Sequence, residues 1–234
     1  MIRPSDFSSI VVLTGAGISA ESGLKTFRDN DGLWEGHRVE EVATPEAFIN
    51  NPSLVQQFYN TRRQQLQNEA APNTAHKALA HFQQQYSGSF TLITQNVDNL
   101  HEQAGSQNTQ HMHGELLKGR CLSTDEIFPW YEDMNEQSLC PCCKSRGNIR
   151  PHIVWFGEMP LYMKDIEEQI LKCDLLIAIG TSGVVYPAAG FAQLAQAAEA
   201  CTVELNLEAS AVHSDFNHAY YGPATKVVTE FFRT

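Results

Sequence analysis

The chain has 234 residues, 42% of them hydrophobic and 18% charged, a balance that suits one α/β domain with an insertion and excludes a disordered or repetitive protein. A formal net charge of −11 argues against a dedicated nucleic-acid grip, because neutralising phosphates needs clustered Lys and Arg and the longest basic run is Arg62-Arg63. The longest apolar stretch, Leu175 to Ile179, falls far short of the ~20 residues that cross a bilayer. The opening residues carry too short an apolar run for export, so a cytoplasmic protein with no membrane association is expected. Its six cysteines should then serve a metal or the core rather than disulfides.

In chain order, the apolar run Ile10 to Leu13 predicts a buried strand, and a glycine-rich turn follows it. The stretch 30–47 is polar and turn-rich. Asn51-Pro52-Ser53 and Pro72-Asn73 announce helices over 53–69 and 73–85, with Asn as a cap in each. Phe90 to Ile93 predicts a second strand and 97–103 a helix. Residues 116–150 read as irregular and Cys-bearing. Asp174 to Ile179 and Thr202 to Leu205 predict further strands around a helix over 188–200. This alternation predicts a parallel, doubly wound, Rossmann-like sheet, with ligands beyond the carboxyl ends of its strands.

Gly15-Ala16-Gly17-Ile18-Ser19-Ala20 stands where a pyrophosphate would meet backbone amides at the start of a short helix; the same glycines would also serve a tight strand-to-helix turn. A nicotinamide dehydrogenase would next supply a strand ending in an acidic residue ~20 positions on. The window DNDGLWEGHRVEE has no strand pattern, so hydride transfer loses its usual support.

The segment Gly15 to Trp34, GAGISAESGLKTFRDNDGLW, closely resembles the NAD-binding segment of the sirtuin family. Gln95-Asn96-Val97-Asp98, His111-Met112-His113-Gly114, Phe156-Gly157-Glu158, Gly180-Thr181-Ser182 and Glu204-Leu205-Asn206 extend the resemblance over nearly the whole chain in family order. It implies a single catalytic domain with a Rossmann-like large lobe (about 1–29, 74–110 and 151–234). A small zinc-ribbon-like and helical lobe would come from about 30–73 and 111–150. It also implies an NAD-dependent protein-lysine deacylase that consumes NAD and makes nicotinamide, O-acyl-ADP-ribose and free lysine. Protein mono-ADP-ribosyl transfer and a non-catalytic NAD or ADP-ribose-binding module are the alternatives.

Residue roles follow from the same resemblance. His113 would be the general base that takes a proton from a ribose hydroxyl, a task suited to a group titrating near neutrality. Spacing alone leaves His111 and His113 equivalent on an extended segment, and only the family register separates them. Gln95, Asn96 and Asp98 would hold the nicotinamide end of NAD, Asn96 and Asp98 also acting in catalysis, while Asp98 could equally cap a helix. Phe27, Arg28 and Trp34 would cover and steady the dinucleotide. Gly180, Thr181, Ser182, Asn206, Leu207, Glu208 and Ala224 would take its phosphates and adenosine.

Tyr59 and Arg62, three apart on one helix face, match a Tyr-x-x-Arg found in sirtuins that remove succinyl or malonyl groups, and imply desuccinylase and demalonylase as well as deacetylase activity. The plainer reading places Tyr59 in the core with Phe58 and leaves Arg62 and Arg63 as a solvated face. The acylated peptide would pair as a strand between Val154, Phe156, Gly157 and Glu158 and the loop of Gly183 and Val184. Structural Zn2+ is expected on Cys121, Cys140 and Cys143, with Thr124 where the family pattern has a fourth thiol and water or another donor completing the shell. Apolar contacts from Phe128, Trp130 and Leu139 could hold this insertion instead.

Overall fold

A computed structural model describes residues 2–24, 33, 34 and 36–233. In chain order the strands and helices are β1 (Ser9–Thr14), β2 (Leu33–Trp34), β3 (His37–Arg38), α1 (Val39–Val42), α2 (Pro45–Asn50), α3 (Pro52–Asn68), α4 (Thr74–Gln85), β4 (Ser89–Thr94), α5 (Leu100–Ala104) and β5 (Gln110–His111). They continue with β6 (Gly114–Cys121), β7 (Ile127–Pro129), β8 (Ile149–Ile153), α6 (Met163–Lys172), β9 (Leu175–Ile179), α7 (Phe191–Ala197), β10 (Cys201–Asn206), β11 (His218–Tyr221) and α8 (Ala224–Phe231).

Six strands form the main sheet in the order β11-β10-β9-β1-β4-β5, every pair parallel. The two-residue period of a strand explains how both faces are covered. Ile10 and Val12 of β1 face Ala75, Leu79 and Phe82 of α4 and Val228 and Phe231 of α8. Val11 and Leu13 face Ile166 and Ile170 of α6 and Phe191 and Ala195 of α7. This is the doubly wound arrangement the strand and helix alternation predicts. Asn51 and Asn73 cap α3 and α4 as their positions suggest, accepting from Leu54 N–H and from the Ala75 and His76 N–H groups.

The stretch 116–150 is more ordered than its sequence suggests. It contributes to a second, antiparallel sheet in the order β7-β6-β8. Strand β6, GELLKGRC, mixes Gly, Lys and Arg among apolar residues, because its side chains alternate between buried and half-buried sites. Gly114 at its start has φ +82°, and a Cβ there would lie 2.1 Å from the His152 carbonyl oxygen, so no other residue fits. A buried Arg63 ties α3 to this sheet: Nε donates to the Leu116 carbonyl at 3.1 Å and Nη1 to Asn60 Oδ1 at 2.8 Å. The reading of Arg63 as a solvated charge is therefore corrected.

Candidate active site

The carboxyl ends of β1, β4, β9 and β10 converge on the glycine loop. Here the expected loop helix is two single 3-10 turns, Ala16–Ile18 and Ala20–Ser22. The glycines answer to a close approach of two loops. A Cβ on Gly15 would lie 2.8 Å from the Gly180 oxygen, and one on Gly17 2.7 Å from the Gly180 Cα. The Gly15 and Gly17 N–H groups donate to the Ile179 and Gly180 carbonyls, each at 2.9 Å. Those of Ile18 and Ser19 close onto Gly15 and Ala16. Among the described residues, the Ala16 amide meets no backbone acceptor.

Asn96 and Asp98 fasten this loop to the end of β4. Asn96 Nδ2 donates to the Gly15 carbonyl at 3.1 Å and to Ser19 Oγ at 3.3 Å. Ser19 Oγ donates to Asp98 Oδ2 at 3.0 Å, while Asp98 Oδ1 accepts the Leu100 N–H that opens α5. Asp98 is thus a loop anchor that also holds the first N–H of α5 from one residue before the N-cap, Asn99, whose side chain makes no cap bond. Burial pushes its carboxyl above the usual range, although the Leu100 and Ser19 hydrogen bonds oppose the shift.

The two histidines left equivalent by spacing have different surroundings. His111 is buried, with Nδ1 3.2 Å from the Asn96 carbonyl and Nε2 3.0 Å from Glu102 Oε1. Burial works to lower it, but the hydrogen bond and charge of Glu102 prevail and raise it. Both ring nitrogens are committed, so His111 is a strut. His113 donates Nδ1–H to the Gln95 carbonyl at 3.0 Å, and its Nε2 has no protein partner among the described residues. Burial lowers it, leaving a neutral imidazole with a basic nitrogen to offer.

On the β9 and β10 side, Asn206 Nδ2 donates to the Thr181 carbonyl at 2.7 Å, and its Oδ1 accepts from the Leu207 N–H. Ser182 accepts from the Val184 N–H at 3.5 Å through Oγ. Leu207 and Glu208 are exposed, and half-buried Ala224 opens α8. Glu21, which the sequence did not single out, binds both N–H and hydroxyl of Thr225, joining the glycine loop to α8. Phe27 and Arg28 lie outside the described residues, as does the side chain of Trp34.

Beneath the loop lies a buried polar layer that the sequence pattern does not reveal. Thr14 Oγ1 binds Thr94 Oγ1 and His101 Nε2, each at 2.9 Å. His76 contacts Ser19 Oγ at 3.4 Å and meets the His101 ring edge-on. Burial lowers His101 to about 3, and His76 and His152 to about 4 each. The unfolded chain, with imidazoles near 6.5, binds more protons between that pH and about 4, so stability present above 6.5 is lost as the pH falls. A lowering of the size seen for His76 is worth about 3 kcal/mol. Calorimetric melting temperatures should fall steadily from pH 6.5 to 4, and His101→Gln should flatten that slope; a flat wild-type profile would contradict the assignment.

On the acyl side, Tyr59 is fully buried and its phenol oxygen accepts the Trp155 indole N–H at 2.9 Å. Arg62, half-buried, lies over the Phe58 ring at 5.0 Å and acts on Tyr59 through its charge. Burial pushes the phenol well above its usual range, so Tyr59 stays a donor at all ordinary pH. The segment expected to pair with peptide has its donors largely spent. Val154 N–H goes to the His113 carbonyl, Phe156 N–H to Ala43 and Glu158 N–H to Trp155, forming a turn rather than an open strand. The Glu158 carboxylate points inward to Arg150, accepting two bonds at 2.7 and 2.9 Å. Gly183 and Val184 lie in the loop after β9, Val184 exposed.

In the small sheet, the sulfurs of Cys121, Cys140, Cys142 and Cys143 all lie within 4.8 Å of one another. The three-thiol expectation therefore changes: Cys142 supplies the fourth sulfur, and Thr124 stands beside it, Oγ1 3.4 Å from Cys142 Sγ. A tetrahedral thiolate zinc site with Zn–S near 2.3 Å has sulfurs about 3.8 Å apart, so this cluster fits Zn2+. Asn148 Nδ2 donates to Cys143 Sγ at 3.1 Å, the kind of support metal-bound thiolates receive. Phe128, Met134 and Ile149 pack around the cluster with Trp130, while Leu139 is half exposed and contributes little.

The fold and loop define a Rossmann-like dinucleotide-binding protein with a cysteine-clustered small sheet. The profile of the Sir2 family matches residues 15–187, so the chain belongs to that family. It is 58% identical over 223 residues to the NAD-dependent protein deacylase of Salmonella typhimurium, covering 95% of this chain and 82% of that one. To that of Pasteurella multocida it is 57% identical, covering 95% of both. Among solved structures it is similar to a Sir2 homologue–NAD complex (TM-score 0.88, 38% identity, 98% of this chain and 90% of that one). It is also similar to a Sir2 bound to acetylated peptide (TM-score 0.81, 27% identity, 96% and 92%).

Proposed function

We propose that this protein is an NAD-dependent protein-lysine deacylase with acylated lysine side chains as substrates. The observation that carries this is His113, whose Nδ1–H is anchored on Gln95 while Nε2 meets no partner among the described residues; Asn96 and Asp98, which follow Gln95 directly, hold the glycine loop. NAD supplies an electrophilic sugar carbon, and the chain supplies position and charge for the acyl oxygen that attacks it. Gln95, Asn96 and Asp98 grasp the nicotinamide end, and Thr181, Ser182 and Asn206 the phosphates and adenosine. His113 Nε2 takes the ribose hydroxyl proton. The division into a Rossmann-like large lobe and a metal-bearing small lobe stays part of this reading, as does peptide docking between Gly157 and Gly183-Val184 through the remaining carbonyls and the Gly157 amide. No helix of the described residues is long and apolar enough to cross a membrane. Free thiols at the metal cluster suit the cytoplasm. The test is nicotinamide release that depends on an acylated peptide; NAD left intact, or consumed equally without peptide, would overturn the reading.

We further assign Tyr59 and Arg62 to the acyl carboxylate of succinyl and malonyl lysine. A carboxylate reaching a buried phenol and a half-buried guanidinium gains charge-assisted bonds of roughly 1.5–3 kcal/mol each. Arg62→Met is expected to lower desuccinylation about tenfold to a hundredfold while deacetylation changes less than about twofold. Equal losses on matched peptides would remove the assignment.

A further inference from the structure

His111 in β5 stands between two oxygens that can only accept. Its Nδ1 lies 3.2 Å from the Asn96 backbone carbonyl and its Nε2 3.0 Å from Glu102 Oε1. A neutral imidazole carries one ring hydrogen and satisfies one of them, whereas an imidazolium carries two and satisfies both. Glu102, its side chain 40% exposed, remains ionised: partial burial works against its charge, but the His111 hydrogen bond and charge hold its carboxyl down at about 2. The other titratable groups that act on the ring, among the described residues, are the acids Asp98, before α5, and Glu115 of β6, and His101 within α5, which burial keeps neutral. His113, two residues on, spends its Nδ1–H on the Gln95 carbonyl instead.

The carbonyl at one end of this clip belongs to a residue that holds the glycine loop. Asn96 is fastened by its own N–H to Thr94 Oγ1 at 3.0 Å and reaches with Nδ2 to the Gly15 carbonyl and Ser19 Oγ. We propose that His111, as an imidazolium, is a positioning residue for the NAD site: by bridging the Asn96 carbonyl and the Glu102 carboxylate it sets where Asn96 presents its carboxamide to the glycine loop. The proposal rests on the reading of Asn96 and that loop as part of the NAD site. When the ring loses a proton, the remaining hydrogen stays with the Glu102 carboxylate, because a bond to a charged acceptor is the stronger one. The Nδ1 lone pair then faces the Asn96 carbonyl oxygen across 3.2 Å and repels it. NAD affinity is therefore lost as the pH rises through the His111 midpoint, on the opposite side of neutrality from the rate loss set by His113.

Two measurements on the intact protein test this. Ring-nitrogen NMR of histidine-labelled protein tells an imidazolium from either neutral tautomer, and the His111 signals are assigned by their loss in His111→Gln or their shift in Glu102→Gln. At neutral pH His111 should carry hydrogens on both nitrogens, with a midpoint above the ~6.5 of a free imidazole. Calorimetric NAD binding, which needs no turnover, should weaken about three- to tenfold across that same midpoint. His111→Gln should bind NAD weaker by a similar factor at neutral pH and lose the alkaline step. Glu102→Gln, which takes away the carboxylate partner, should move the NMR midpoint and the binding step together to lower pH, and it carries the test if His111→Gln folds poorly. A neutral His111 at neutral pH, wild-type NAD binding that is flat across the midpoint, or an alkaline step that persists in His111→Gln would overturn the positioning role while Asn96 keeps its place in the NAD site. Unchanged NAD affinity in Asn96→Ala would instead remove Asn96 from that site, and the proposal with it.

Discussion

Replacing His113 with Asn is expected to cut acyl-peptide-dependent nicotinamide release by about a hundredfold to ten-thousandfold, the range a positioned general base supplies. Asn can keep a hydrogen bond to the Gln95 carbonyl, so the loss would report the missing basic nitrogen and not a displaced loop. Calorimetric binding of NAD to the variant should stay within a few-fold of wild type. Because burial lowers the His113 imidazole, the acid limb of the wild-type kcat/KM profile should fall below the ~6.5 of a free imidazole. As the pH drops through that limb the base becomes protonated and rate is lost. His111→Asn should instead lower the melting temperature, since His111 spends both nitrogens on Asn96 and Glu102. A larger rate loss in the His111 variant would reverse the two roles.

The second large effect concerns the cysteine cluster. Purified protein should carry one zinc per chain, measured by atomic emission, and Cys142→Ser should lower its retention as strongly as Cys121→Ser. Four thiolates close a tetrahedral shell, and apparent binding energies of roughly 10–16 kcal/mol for structural zinc peptides show how much folding depends on such a shell. Chelation should therefore unfold β6–β8, seen as lost hydrogen-exchange protection there, with the main sheet retained. Full zinc content in Cys142→Ser would restore the three-thiol set with an outside donor.

The main sheet was legible in the sequence because its central strands are fully buried, and buried parallel strands write themselves as unbroken apolar runs. Thus Ile10 to Leu13 and Leu175 to Ile179 were found to within a residue or so of their ends. Strand β11 and helices α6 and α8 were not, since HAYY is largely exposed at the sheet edge and α6 buries only Ile166 and Ile170. The proposed site was legible where its residues sit in short contiguous motifs, as at 95–98 and 111–114. Cys142 was overlooked because a spacing rule selects 140 and 143 and is blind to how a tight turn folds a third sulfur inward. Trp155, Glu21 and the buried His76–His101 layer depend on contacts between distant segments, as in the 96-residue separation of Trp155 and Tyr59, and no local pattern encodes those.

His113 occupies the two-residue link between β5, the last strand of the parallel sheet, and β6, the centre of the antiparallel one. On the proposed mechanism, the nitrogen that takes the proton is therefore carried at the junction of the parallel and antiparallel sheets. A tilt of one sheet against the other would then swing the imidazole relative to the sugar that the proposed mechanism has it deprotonate. Turnover would then register the alignment of the whole molecule, and a lesion in the distal sulfur cluster could silence chemistry it never touches.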